Sequence, residues 1–165
     1  MQDSPSMAVF IADYTISNSP SILNLLELLS SRYQVDVYLN NVSLKVCDIW
    51  QKNNIRIADF GPNPLPDSFS GKLRARYDHY IAIDPHGLVF CDQLFPESKP
   101  IYYSLELYLK NDQLELNCSP EVMCAERNLV NGIKGLIIQS QEKDDLFRAD
   151  YNLSRNIPSF ILPVT

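Results

Sequence analysis

Seven short apolar runs recur along the chain, each followed by a polar or amphipathic segment, and this alternation narrows the possible folds more than any other feature. The runs are MAVFIA (Met7–Ala12), VDVYL (Val35–Leu39), IRIADF (Ile55–Phe60), YIAI (Tyr80–Ile83), IYYSLEL (Ile101–Leu107), LIIQ (Leu136–Gln139) and SFIL (Ser159–Leu162). Runs of four to seven residues are too short for buried helices and have the length of strands, and the first is apolar without alternation, as a strand buried on both faces requires. Between them, Ser21–Tyr33 spaces Ile22, Leu25, Leu26, Leu28 and Leu29 as an apolar helix stripe, with Ser19 or Ser21 as N-cap and Pro20 in the first turn. Ser43–Lys52, His86–Phe95, Pro120–Ile133 and Glu142–Leu153 read as further helices.

Strands alternating with helices define an α/β domain with a mostly parallel sheet of six to seven strands between helical layers, a Rossmann-like three-layer arrangement. The expectation is one such domain over residues 1–165, with residues 1–6 disordered. GPNPLP (Gly61–Pro66) carries three prolines in six residues and reads as a loop. Gly71–His79 reads as a basic, helix-compatible lead-in, and Lys110–Ser119 carries little periodic signal.

The 165 residues hold 14 basic and 20 acidic side chains, a net charge of −6. Nucleic-acid binders displace counterions with a surplus of Lys and Arg, so a nucleic-acid partner is not expected. Cys47, Cys91, Cys118 and Cys124 form no C-x-x-C pair, and only His79 and His86 could join them as nitrogen ligands. Neither a metal nor a cofactor is expected, and the thiols read as reduced and mostly buried. With no basic-then-apolar leader at Met1–Met7 and no run long enough to span a bilayer, the expected setting is a reducing cytoplasm.

In an open parallel sheet, ligands meet the residues just past the carboxyl ends of the strands. Those ends supply Asp13, Tyr14, Asp59, Asp84, His86 and Glu106. The turn Asp13–Pro20 has no glycine, and G-x-x-x-x-G-K-[ST] occurs nowhere, which removes dinucleotide and P-loop readings. Asp13 with Asp59 imitates a phospho-acceptor receiver, but the paired acids of its first strand and the lysine ending its fifth are missing. His86 could act as a base or bond a hydroxylated ligand, the plain alternative being a helix-start histidine bonded to local backbone. Glu106, within YYSLELYL, must be paired, capped or turned to a cleft, because a buried lone carboxylate is costly. Lys72, Arg74 and Arg76 are a solvated face, or a patch for an anionic acceptor or peripheral membrane contact. Tyr102, Tyr103 and Tyr108 read as core and rim aromatics in preference to a sugar-stacking platform.

Four segments in order, YIAIDPHGL (Tyr80–Leu88), PIYYSLELY (Pro100–Tyr108), KGLIIQS (Lys134–Ser140) with its following acidic helix, and IPSFILPVT (Ile157–Thr165), resemble the N-terminal half of group-1 glycosyltransferases of the GT-B fold. The resemblance implies the acceptor-binding half of an enzyme that moves a sugar from a nucleotide-sugar donor to an acceptor hydroxyl. It implies a sugar or lipid-linked acceptor as partner, and a nucleotide sugar held only by a C-terminal domain that this chain does not contain, so that it would not catalyse transfer alone. By family position Asp13, Tyr14, Asp84, His86 and Glu106 would contact acceptor, with His86 and Glu106 as the catalytic candidates. The glycine-rich first loop usual in that family is absent here. The alternative is a stand-alone Rossmann-like binding or interaction module without chemistry of its own.

Overall fold

The structure is a computed structural model that describes residues 4–12, 19–40, 52, 54–61, 74–105, 107 and 119–163. The described chain alternates strands and helices: β1 (Ser6–Ala12), α1 (Pro20–Ser30), β2 (Gln34–Asn40), β3 (Ile55–Asp59), β4 (His79–Ile83), α2 (Asp84–Leu94), β5 (Ile101–Tyr103), α3 (Pro120–Leu129), β6 (Gly135–Ile138), α4 (Gln141–Tyr151) and β7 (Ser159–Ile161). The strands form one seven-stranded sheet in the order β3-β2-β1-β4-β5-β6-β7, and every pair with a described register is parallel. The Rossmann-like α/β fold is therefore the one the alternation of runs implies, and this strand order is the one that defines it. Two compact units divide the chain, Met1–Tyr80 and Ile81–Thr165.

In the first unit every residue of β1 is buried, which is why its run lacks alternation. Ser6, assigned to a disordered terminus from sequence, opens this strand, and its N–H and hydroxyl both donate to the Asp78 carboxylate at 2.7 and 2.8 Å. Helix α1 starts with Pro20 in its first turn, where a missing N–H costs nothing, and buries Ile22, Leu25, Leu26 and Leu29. Leu28 is instead 62% exposed, because it falls about 100° around the helix from Leu29 and so off the stripe. Mid-strand Asp36 is 2% exposed and is tolerated because Arg56, its register partner on β3, and the Tyr77 hydroxyl (2.6 Å) both donate to it. The rings of Phe10, Tyr38 and Phe60 stack across β1, β2 and the end of β3, at 4.8 and 5.9 Å between centroids. Residues 74–78 contain no helix, which corrects the reading of that part of the lead-in. Tyr77 is buried there and bonded to Asp36 and Tyr38, a tie that an extended segment makes and a surface helix would not.

In the second unit, α3 and α4 are tied to β5 by one buried carboxylate. Glu126, 1% exposed, accepts the hydroxyls of Tyr102 and Tyr151, each at 2.5 Å. The Arg127 guanidinium lies 4.2 Å from the centre of the Tyr151 ring and pairs with Asp150 at 2.6 Å. Phe147 stacks on Tyr151 at 4.3 Å. Tyr102 and Tyr103 are fully buried, so both belong to the core, while Tyr108 lies outside the described residues. The expected helix to Ile133 ends at Leu129 and passes into a 3-10 turn, Val130–Gly132. Among the described residues no helix is long and apolar enough to cross a membrane.

Candidate functional site

Within the second unit, the carboxyl ends of β4, β5 and β6 bring together groups that sequence reading took from three separate segments. Strand β4 passes into α2 without a loop: β4 ends at Ile83 and Asp84 is the first residue of α2. Its φ of 55° lies in the left-handed region, which Asp enters more readily than most residues. Pro85 follows in the first turn of α2, where it is compatible with helix and disfavours an ordinary helical conformation for the residue before it. The Asp84 side chain is 1% exposed, and its Oδ1 accepts the Leu105 N–H at 2.7 Å.

That bond explains where β5 stops. The apolar run continues to Leu107, but the strand ends at Tyr103: the Ser104 N–H still donates to the Ile137 carbonyl of β6 at 3.0 Å, whereas the Leu105 N–H turns to a side chain. The Leu105 carbonyl in turn accepts from the Gln139 amide, one residue past β6. The Gln139 carbonyl oxygen accepts from Lys143 Nζ, and the Ser140 hydroxyl caps α4 by accepting the Lys143 N–H at 3.2 Å. One residue leaving the middle strand, Leu105, is thus held at both its backbone N–H and its carbonyl by side chains from the ends of both neighbouring strands. Ser104 is buried, and His86, on the first turn of α2, is half-buried.

Of the residues expected to contact ligand, Asp84 and His86 lie together at the start of α2, and Asp84 reaches the segment that leads into Glu106. Asp13, Tyr14 and Glu106 themselves lie outside the described residues, as do Lys72, Cys47, Cys118 and all of the helix read over Ser43–Lys52 except Lys52, which is not helical. Asp59, at the end of β3 in the first unit, accepts the Gly61 N–H at 2.8 Å and so shapes its own turn. Arg74 and Arg76 are exposed, with Arg74 Nε 4.0 Å from Asp36. Gln139 and Lys143 were missed, although Gln139 directly follows a strand just as Asp84 does. Its signal was its place directly after LII, overlooked because a neutral amide carries no acid–base chemistry.

A cavity of about 190 Å³ lies elsewhere in the second unit, where the chain enters β5 and approaches β6. Leu88, Cys91, Ser98, Pro100, Leu129 and Gly132 are among its lining, and among the described residues none of Asp59, Asp84 and His86 lines it. Cys91 is fully buried there, its thiol 3.4 Å from the Ser98 hydroxyl and pushed up to about 11 chiefly by burial. Such a thiol is unreactive at neutral pH. Among the described residues no group of three or more His, Cys, Asp or Glu side chains is arranged to hold a metal ion.

The class defined by these observations is an α/β protein of Rossmann-like strand order with a polar rim at the carboxyl ends of β4 to β6. No protein-family model matches the chain, and no curated protein matches it.

Proposed function

We propose that the chain is the acceptor-binding half of a nucleotide-sugar-dependent glycosyltransferase. One observation carries this reading. Three of the segments on which the resemblance rests, YIAIDPHGL, PIYYSLELY and KGLIIQS, meet at one point through the bonds from Asp84 and Gln139 to Leu105. Segments far apart in sequence that converge on one rim at strand ends are what a ligand site in this fold requires. In this reading His86 and Glu106 hydrogen-bond an acceptor hydroxyl and orient it for attack on an anomeric carbon, a contribution of position more than of chemistry. The donor, and the groups that stabilise its leaving nucleotide, belong to a second domain.

A second reading is favoured by a different feature of the same rim. Asp84 and Gln139 direct hydrogen bonds at the backbone, as residues of a binding or interaction module without catalysis would. Ligand-observed NMR of the purified chain separates the two, with a panel of simple glycosides and of nucleotide sugars. Glycoside binding without nucleotide-sugar binding supports the acceptor half. Tight nucleotide-sugar binding would mean that the donor half had been mistaken for the acceptor half, and binding of neither would leave the interaction module.

A further inference from the structure

We infer that Asp84 and Gln139 are positioning residues: they hold the two successive peptide groups that flank Leu105, and so fix the path by which the chain leaves β5. The consequence for ligand binding rests on the acceptor-site reading above; the grip itself does not.

Both polar groups of Leu105 are taken by side chains, the N–H by Asp84 at 2.7 Å and the carbonyl by Gln139. In a continuing parallel strand the neighbouring backbones would have met both. The substitution has a structural effect that a ladder cannot supply: it lets the chain depart from the sheet at Leu105 while both backbone polar groups of that residue keep partners. The Asp84 carboxylate is almost fully buried, a placement unfavourable for a charge unless strong donors compensate, and a charge-assisted bond from an N–H is of that kind. The same residue has a positive φ, an arrangement kept where the surrounding structure dictates it. Lys143 completes the chain of contacts by holding the Gln139 side chain through its carbonyl oxygen, which turns the amide N–H groups toward Leu105.

A positioning carboxylate and a proton-transferring one respond differently to the same substitution. Asn at 84 keeps the accepting oxygen and tolerates a positive φ, but cannot exchange a proton with substrate. Glu at 139 keeps the partner of Lys143 but offers no N–H to the Leu105 carbonyl.

The test uses the full chain, ¹⁵N-labelled, with hydrogen exchange read at the Leu105 amide and at the Leu136 amide of β6 as a fold control. Asp84→Asn, which keeps the accepting oxygen but not its charge, should exchange at Leu105 more slowly than Asp84→Ala. Asp84→Ala should exchange roughly fivefold to tenfold faster there than the parent, the effect of one net hydrogen bond, and Gln139→Leu and Gln139→Glu, which release the carbonyl end of the same residue, about twofold or more faster, with Leu136 unchanged. Equal exchange in the parent and both Gln139 variants would overturn the inference, and so would Asp84→Asn exchanging as fast as Asp84→Ala. Because Gln139 lies half-buried at the rim, its two variants decide the matter even where Asp84→Ala does not fold. Titration with methyl glucoside and methyl mannoside then separates the two levels. A parent chain that binds neither sinks the acceptor reading while the exchange result still stands; a parent that binds, with affinity reduced by Gln139→Glu and kept by Asp84→Asn, supports both.

Discussion

Asp36 on β2 and Arg56 on β3 are register partners, and the Arg56 guanidinium closes on both oxygens of the buried Asp36 carboxylate. Asp36 is almost inaccessible, whereas about a third of the Arg56 side chain reaches water. The pair is therefore asymmetric, because removing the arginine leaves a charge that water does not reach, while removing the aspartate leaves one that it does. Arg56→Ala is expected to cost about 2–4 kcal/mol, with Asp36→Ala less damaging and Asp36→Leu with Arg56→Met near neutral. Urea midpoints of the single and double variants measure this, and a double variant as unstable as Arg56→Ala alone would contradict it.

Accessibility orders the thiols. Cys124 is exposed on α3, and Cys91 is buried with its thiol raised to about 11. At pH 8 a thiol of that value is only about 0.1% thiolate. In a Cys47→Ser, Cys118→Ser background, a disulfide reagent should titrate one equivalent rapidly in the folded chain and the second only after denaturation. Rapid modification of both would show the cavity beside Cys91 to be open to reagents.

The sheet was legible in the sequence because each strand is a short apolar run bounded by polar residues, a pattern set by burial. All seven strands fall where those runs lie. The end of β5 was not legible: YYSLEL is apolar enough to extend, and it stops because the Asp84 side chain, some twenty residues earlier, takes the Leu105 N–H. Long-range side-chain bonds to backbone leave no local pattern. For the same reason Asp36 inside VDVYL announced a strand but not its need for Arg56 and Tyr77. At the site, the titratable Asp84 and His86 were legible from their position after a strand. The Gln139 amide shares that position but carries no acid–base chemistry, and its importance comes from what it reaches.

Arg148 on α4 holds the approach to the edge strand. Its Nε donates to both oxygens of Asp144 at 3.0 Å, and its two terminal nitrogens donate to the carbonyls of Ser154 and Ile157 at 2.8 Å. Asp144 also accepts the Ser159 hydroxyl of β7 at 3.1 Å. Arg148→Met keeps the aliphatic stem but abandons a buried carboxylate and two carbonyls, a loss of about 2–3 kcal/mol concentrated on β7. Hydrogen exchange should quicken at the Leu162 amide, which donates to the Ile138 carbonyl, well before it does at Ile81 or Tyr102. Uniform quickening across the unit would mean that β7 unfolds only with the rest.

Glu126 makes stability depend on pH in a direction opposite to that of most carboxylates. Burial holds its carboxyl above the ordinary 4.5, against the opposing effects of the Tyr102 and Tyr151 hydroxyls and Arg127, with Asp150 adding to the rise. The folded state therefore retains a proton that the unfolded chain releases. The stabilisation this provides is complete below the unfolded value near 4.5 and is lost as pH rises through the higher folded value. Glu126→Gln removes the titration while keeping one accepting oxygen, and its second position presents an N–H₂ to a hydroxyl that formerly donated. Its intercept should fall by about 1–2 kcal/mol, but the stability lost between pH 4.5 and 7 should be smaller than in the parent. The difference between the two chains' urea midpoints across that range isolates Glu126 from every other carboxylate. A difference that does not change with pH would place the folded-state value of Glu126 at its ordinary level.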